Sequence, residues 1–326
     1  MILDVANRTF SADHPALRAW SEIAGKDFAP VDVQVLNERS ASRVYRLIGA
    51  GPDGSNVIAK RYPAANARAE YRTYQKVLCH LPLTLLRHHG LVQESDAGFY
   101  WAFVEDAAGE QYSPEIQQHT VEAAEWLAML HTSAQGVARS VALPDRNPCY
   151  YFDCLRAGLD RISRRLAGSP LNEDGRVILG FLVAQCDAVQ ASWERIERLC
   201  SGAPQTLVHA DLNPDNIHVR IRPDGVTLMP FDWECAGWGV PAIDLALEGI
   251  DLVAYCSIVR SVWPGFDLQT VRALAIAGRL FQLCALIEWE SRGLGSEWLR
   301  RTMKRMAYYG TELSDTMRTV EREAAR

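Results

Sequence analysis

Thr206-Leu-Val-His209-Ala-Asp211-Leu-Asn-Pro-Asp-Asn216-Ile-His-Val, a turn at Pro223-Asp-Gly225, and Val226-Thr-Leu-Met-Pro-Phe231-Asp232-Trp233-Glu234 form the stretch on which the reading of this chain rests. Its apolar runs and turn residues predict a short strand, a tight polar loop, a strand, a turn, a strand and an acidic tip. Asp211 and Asn216 stand five apart on the loop, and Asp232 follows 16 residues later, at the end of the hairpin.

A carboxylate and an amide on one loop, with a second carboxylate on the adjoining hairpin, suit phosphoryl transfer. That reaction asks for a carboxylate to orient and deprotonate an acceptor hydroxyl and for oxygen ligands to magnesium beside nucleotide phosphates. Magnesium takes hard oxygen donors, often one or two carboxylates plus substrate phosphates. The plainer reading of the same residues is a polar β-hairpin with a solvated loop.

H-x-D-x-x-x-x-N followed by Phe231-Asp232-Trp233-Glu234 resembles the aminoglycoside phosphotransferase and choline kinase superfamily, a branch of the protein-kinase-like fold. The corresponding protein-kinase pair is H-R-D-x-x-x-x-N with D-F-G. Here Ala210 stands in place of that Arg and Trp233-Glu234 in place of Phe-Gly, which points toward small-molecule acceptors. The resemblance implies Asp211 as catalytic base, Asn216 and Asp232 as magnesium ligands, and His209 as a structural anchor of the loop. Asp244, within Gly237-Trp238-Gly239-Val-Pro241-Ala-Ile-Asp244-Leu, matches a structural aspartate that supports the catalytic loop.

Upstream, Val31–Leu36, Arg43–Ile48 and Asn56–Lys60 read as strands, and Leu91–Glu94 and Phe99–Val104 complete a five-stranded sheet. Lys60 ends Val57-Ile-Ala-Lys60, close to the V-A-I-K pattern whose lysine meets the α- and β-phosphates. Alternation puts Ile58 on the same face, under the base of the nucleotide. Glu70 lies on a helical stripe with Ala67, Tyr74, Val77 and Leu81; a carboxylate on an apolar stripe wants a partner, and Lys60 is the natural one. The loop between the first two strands has no glycine, and its Ser40 and Ser42 are candidate phosphate donors or ordinary hairpin residues. Glu105-Asp-Ala-Ala-Gly109 breaks the strand pattern. By the resemblance it is a hinge whose backbone around Val104, Glu105 and Ala107 bonds the nucleobase.

The expected architecture is bilobal and kinase-like, of the α/β (α+β) class. A nucleotide-binding lobe spans 1–104, a hinge 105–110, and a mainly helical catalytic and substrate-binding lobe 111–326. Ser113-Pro114 signals the start of a helix that carries Trp126-Leu-Ala-Met-Leu-His131, with His131 as a core residue. Helical patterns run at 151–167, at 174–200 and three times within 251–326. A first helix over 13–25 is capped by Asp13.

Net charge is −6, which gives no electrostatic case for nucleic acid. Residues 1–104 hold 12 Lys/Arg against 10 Asp/Glu and the remainder 22 against 30, so the acidic excess lies in the second part. The eight cysteines form no C-x-x-C pair and read as free thiols in a reducing compartment. No signal peptide is read at the start, and apolar runs such as Leu280–Ile287 are too short to span a bilayer. A cytoplasmic monomer or dimer with no membrane partner is expected.

The expected activity is transfer of a γ-phosphoryl group from ATP or GTP, with Mg2+, to a hydroxylated small molecule. An aminoglycoside or other amino sugar stands first, with Glu234, Glu288, Glu248, Asp251 and Glu290 as candidate carboxylates. Choline, homoserine or a sugar is the alternative, with Trp233 and Trp238 as possible walls of a cation cage. A nucleotide-binding scaffold without chemistry is the third reading.

Overall fold

The computed structural model describes residues 14–25, 30–38, 42–94, 98–137, 141–168, 171–223, 225–296 and 299–324. The chain forms two compact units, one of residues 1–113 with 214–236, the other of residues 114–213 with 237–326.

In the first unit, β1 (Asp32–Glu38), β2 (Arg43–Ile48), β3 (Val57–Pro63), β4 (His88–Gln93) and β5 (Phe99–Glu105) form an antiparallel sheet in the order β1-β2-β3-β5-β4. Alternation along β3 sends Val57 and Ala59 into a fully buried core and Ile58 and Lys60 to the other face. Helix α1 (Pro15–Ala24) presses Ala16, Ala19 and Trp20 onto Val33, Leu47, Trp101 and Phe103. Its N-cap is His14, whose Nδ1 accepts from the Ala16 N–H at 3.2 Å; the expected Asp13 lies outside the described residues. Helix α2 (Ala64–Lys76) buries Ala67, Glu70 and Tyr74 on the expected stripe, and Val77 and Leu81 are buried in the turns after it.

A hairpin from far downstream belongs to this unit. Strands β8 (Ile217–Arg222) and β9 (Gly225–Pro230) pair antiparallel, with β6 (Glu110–Gln111) on the other edge of β8. The turn Trp233–Cys235 that follows packs against α2, with Trp233 fully buried.

The second unit is helical: α3 (Gln117–Ala134), α4 (Pro148–Gly168), α5 (Glu173–Ala191), α6 (Trp193–Leu199), α7 (Leu252–Val259), α8 (Leu268–Ser291) and α9 (Leu299–Ala324), with one strand pair, β7 (Thr206–Val208) and β10 (Gly237–Gly239). Helix α3 starts later than Ser113-Pro114 suggested. Residues 114–115 form a turn and Ile116 is extended (φ −96°, ψ 108°), so helical dihedrals begin only at Gln117. Ser192 (φ −101°, ψ 7°) divides the long pattern over 174–200 into α5 and α6.

Helix α8 packs against α4, α6, α7, α9 and the 3-10 segment Pro241–Ala246. Gly278 permits the last of these approaches: a Cβ there would sit 1.7 Å from the Ala242 carbonyl oxygen. The Leu280–Ile287 run is part of a longer apolar helix than its own length implies. Leu268–Gly295, with its terminal 3-10 turn, is long and apolar enough to cross a membrane, and half of its most apolar window is buried inside the unit. All eight cysteines are free thiols; Cys79 and Cys149 are exposed, Cys235 is partly exposed, and the rest are buried.

Candidate active site

Strand β3 and helix α2 place Lys60 beside Glu70, as the stripe and the strand alternation imply, with Nζ 3.7 Å from Oε2. Burying a carboxylate to 4 % exposure is unfavourable unless its lone pairs are engaged. Glu70 is engaged twice, by Lys60 and by the Tyr62 hydroxyl, which donates to Oε2 at 2.5 Å. Tyr62 is two residues beyond Lys60 on the same strand face, and its ring lies 4.2 Å from Nζ. The sequence reading passed over it, although the same alternation that selected Ile58 selects Tyr62.

Two more carboxylates reach Lys60 from the turn after β9. Asp232 is ion-paired to Nζ, and Glu234 Oε2 lies at 3.2 Å. Burial alone would push the Lys60 amine down. The charges of Glu70, Asp232 and Glu234 outweigh it and hold the amine above the usual lysine range. Burial raises the Glu70 carboxyl, Lys60 opposes that, and the neighbouring Asp232 adds to it. One cation therefore faces three carboxylates. Glu70, Asp232 and Glu234 each offer an oxygen, all within 4.8 Å of one another. A hard-oxygen donor set with surplus negative charge fits a divalent cation such as magnesium.

Asp232 takes a left-handed conformation (φ 70°, ψ 54°), which costs a non-glycine residue about 1–2 kcal/mol. The buried Trp233 on one side and the bond from Phe231 N–H to the Asn216 carbonyl, 3.1 Å, on the other hold it there. That bond also ties Asn216, at the end of the 3-10 turn Pro214–Asn216, to the residue preceding Asp232. Glu234, read from the sequence as a substrate residue, is thus brought to the lysine cluster.

Residues 105–107, which follow the sheet, are gripped by Arg220 of β8. Its Nη2 donates to the Glu105 carboxylate at 2.7 Å and the Asp106 carbonyl at 2.8 Å, and its Nε to the Ala107 carbonyl at 2.6 Å. Arg46 holds the Asp106 carboxylate at 2.6 Å. Among the described residues nothing accepts from the Ala107 N–H, although Ala107 is only 5 % exposed. Val104 and Phe231 border an apolar cluster of Leu86, Ala107 and Met229, and Ile58 pairs with Val104 across β3 and β5. Ser42 is partly buried just before β2, and Ser40 lies outside the described residues.

In the second unit, β7 leads into His209-Ala210-Asp211. Asp244, wholly buried, accepts from the N–H of His209 at 2.8 Å and of Ala210 at 2.9 Å, and from His131 Nε2 at 3.2 Å. The other ring nitrogen of His131 meets the Tyr255 hydroxyl at 2.9 Å, and Thr206 Oγ1 donates to the His131 carbonyl at 2.7 Å. Ala210 is left-handed (φ 65°), like Asp232. Asp211 is exposed, and the Asn213 side-chain amide donates to its carbonyl at 3.1 Å and its carboxylate at 3.3 Å. His131 is a satisfied core histidine, as expected; its bond to Asp244 was not legible across 113 residues.

Of the other candidate acceptor residues, Glu248 is exposed, and Glu288, Glu290 and Asp251 are occupied. Glu288 is ion-paired to Arg161 and Arg292, each at 2.8 Å; Glu290 accepts from Thr302 at 2.9 Å and Arg305 at 2.7 Å; Asp251 caps α7. Trp233 is fully buried, which removes it from any cation cage. Trp238 keeps a partly exposed ring, with its indole N–H donating to the Val141 carbonyl at 2.8 Å.

No curated protein matches the chain. Among solved structures it is similar to the GDP and kanamycin complex of APH(2″)-IIIa (14% identity, 94% of this chain and 98% of that one, TM-score 0.59). A microcompartment-associated aminopropanol kinase matches with 14% identity over 90% of this chain and 94% of that one, TM-score 0.60. Plasmodium vivax ethanolamine kinase matches with 14% identity over 90% and 83%, TM-score 0.56. At these identities the likeness establishes the fold, which is protein-kinase-like. The family model described as the phosphotransferase enzyme family matches residues 32–280, from the first strand of the sheet into α8, a span that includes the surroundings of Lys60 and of Asp244. The chain belongs to that phosphotransferase enzyme family.

Proposed function

We propose that the protein transfers the γ-phosphoryl group of a nucleoside triphosphate to a hydroxyl of a small molecule. The observation that carries this is Lys60 bracketed by Glu70, Asp232 and Glu234, a cation and a carboxylate surplus suited to triphosphate and metal together. Lys60, oriented by Glu70, holds the phosphates. The Ala107 N–H donates to the nucleobase, a role supported by its burial and by the Arg220 grip on the adjoining carbonyls. Asp232 and Asn216, with Glu234 beside them, would hold magnesium, which supplies neutralisation of phosphate charge. Asp211 accepts the proton of the acceptor hydroxyl as its oxygen forms the new bond to phosphorus and the nucleoside diphosphate leaves. Asp244 and His209 hold Asp211 in place.

The sequence put an aminoglycoside first. A polycation needs carboxylates with charge to spare, and Glu288 and Glu290 are ion-paired to arginines while Asp251 caps α7. That favours a metabolic acceptor. Asp211→Ala tests the reaction: turnover, read as nucleoside diphosphate release, should be lost while nucleotide affinity stays within a few-fold. Near-normal turnover would remove Asp211 from the role.

A further inference from the structure

Glu70 and Lys60 are joined less directly than an ion pair implies. Nζ stands 3.7 Å from Glu70 Oε2, beyond hydrogen-bond reach, and that same oxygen accepts from the Tyr62 hydroxyl at 2.5 Å. A hydroxyl this close to an ionised carboxylate makes a charge-assisted bond, about twice as strong as a neutral one. The hydrogen bonds of Nζ go instead to Asp232 and to Glu234, the latter at 3.2 Å. The ammonium also lies over the Tyr62 ring, 4.2 Å from its centroid, where the π face attracts it. One side chain thus meets the cation with its ring and the buried anion with its hydroxyl.

That ring is tightly enclosed. Tyr62 is 1 % exposed and packs with Ala67 and Ala102, both wholly buried, with Leu91 and Tyr100 at the rim. Across β3 and β5, Ala102 pairs with Lys60 and Tyr100 with Tyr62. Ala67 precedes Glu70 by three positions on α2, so the two share a face of the helix. Alanine at 67 and 102 leaves the space that the ring fills. The hydroxyl therefore fastens α2 to β3 independently of Lys60. Among the described residues, Tyr62 and Lys60 are the two side chains that meet the Glu70 carboxylate.

We infer that Tyr62 is a positioning residue for the nucleotide phosphates: its hydroxyl keeps the Glu70 carboxylate satisfied, so that the Lys60 ammonium can turn to the phosphates without orphaning a buried charge. This rests on the phosphotransferase reading and adds a residue to its nucleotide site. Without the hydroxyl, Lys60 is the one side-chain donor left to Glu70 among the described residues. Each hydrogen bond that Lys60 then gives to phosphate is withheld from a buried carboxylate, which is costly to leave unpaired, and nucleotide affinity falls. Phenylalanine is the diagnostic replacement, because it keeps the ring, its packing and its π face and removes the hydroxyl alone.

Calorimetric titration tests this, using ADP or GDP with magnesium, whichever the wild type binds more tightly, and the matching nucleoside. Tyr62→Phe should weaken the diphosphate about tenfold and leave the nucleoside, which has no phosphate, within about twofold. In turnover, KM for the triphosphate should rise about tenfold with kcat within a few-fold. Glu70→Gln should weaken the diphosphate in the wild-type background but cost nothing further when added to Tyr62→Phe, since an uncharged side chain has no claim on Lys60. An unchanged diphosphate affinity in Tyr62→Phe would overturn the role. Equal weakening of nucleoside and diphosphate would make Tyr62 a packing residue only, and losses that multiply in the double variant would separate it from Glu70; either result overturns the role as well. A wild type that binds neither diphosphate would refute the phosphotransferase reading and the role of Tyr62 with it, an outcome distinct from a Tyr62→Phe variant that binds as the wild type does.

Discussion

The surroundings of Lys60 and those of Asp244 are both built from buried charge, and they are built to opposite ends. Around Lys60 one amine meets three carboxylates, with Asp232 and Glu234 still partly exposed. Around Asp244 one carboxylate meets two backbone N–H groups and an imidazole, and the imidazole meets a tyrosine; every one of those side chains is fully buried. The first arrangement is left negative and open to a cation. The second is closed, with both carboxylate oxygens engaged. A surplus of charge marks a place that expects a ligand, whereas a balanced and buried set fixes backbone.

The sharpest break in that contrast is Asp244→Ala. It orphans the His209 and Ala210 N–H groups and the His131 imidazole at once, and should cost about 3–5 kcal/mol of folding stability along with activity. Urea unfolding of wild type and variant would measure it. Asp232→Asn should behave in the opposite way. It reduces like-charge repulsion around Lys60, so stability should stay within about 1 kcal/mol of wild type. Stabilisation by ADP with magnesium, read by thermal melting, should disappear. Were Asp232→Asn the more destabilising of the two, the distinction would collapse.

A smaller effect tests burial without charge pairing. His88 of β4 lies against the Tyr71 and Tyr74 rings, and its Nδ1 accepts from the Gly90 N–H at 3.1 Å. Burial, reinforced by His89, lowers its pKa from the ordinary 6.5 to about 4. Between those values the unfolded chain binds a proton that the folded chain does not. Stability from this residue is complete above about pH 6.5 and is lost as pH falls through about 4. The loss should be about 2–3 kcal/mol. Comparing wild type with His88→Phe in urea at neutral and mildly acidic pH would isolate it, and equal losses in both would assign the effect elsewhere.

The fold was legible where contacts are local in sequence. Strand alternation found all five strands of the sheet and set Lys60 against Glu70, because a side chain's face follows from its neighbours along the chain. Asp211, Asn216 and Asp232 stood out because loop and hairpin are contiguous. The Asp244–His131 bond joins positions 113 apart, and Arg220 reaches Glu105 from more than a hundred residues away; neither leaves a periodic trace. The engagement of Glu288 and Glu290 by arginines was hidden for the same reason. The onset of α3 was misplaced because a serine-proline pair serves a turn as readily as a helix start.

Gly278 carries no charge and touches no group with a chemical role, yet Asp244 stands two residues beyond the carbonyl it accommodates. One added methyl at 278 must push Ala242 away from α8, and the carboxylate that aims the loop of Asp211 would travel with it. The most sensitive volume in this unit is therefore an empty one, deep in an apolar helix, and an alanine there should silence turnover while every reactive side chain remains in the sequence.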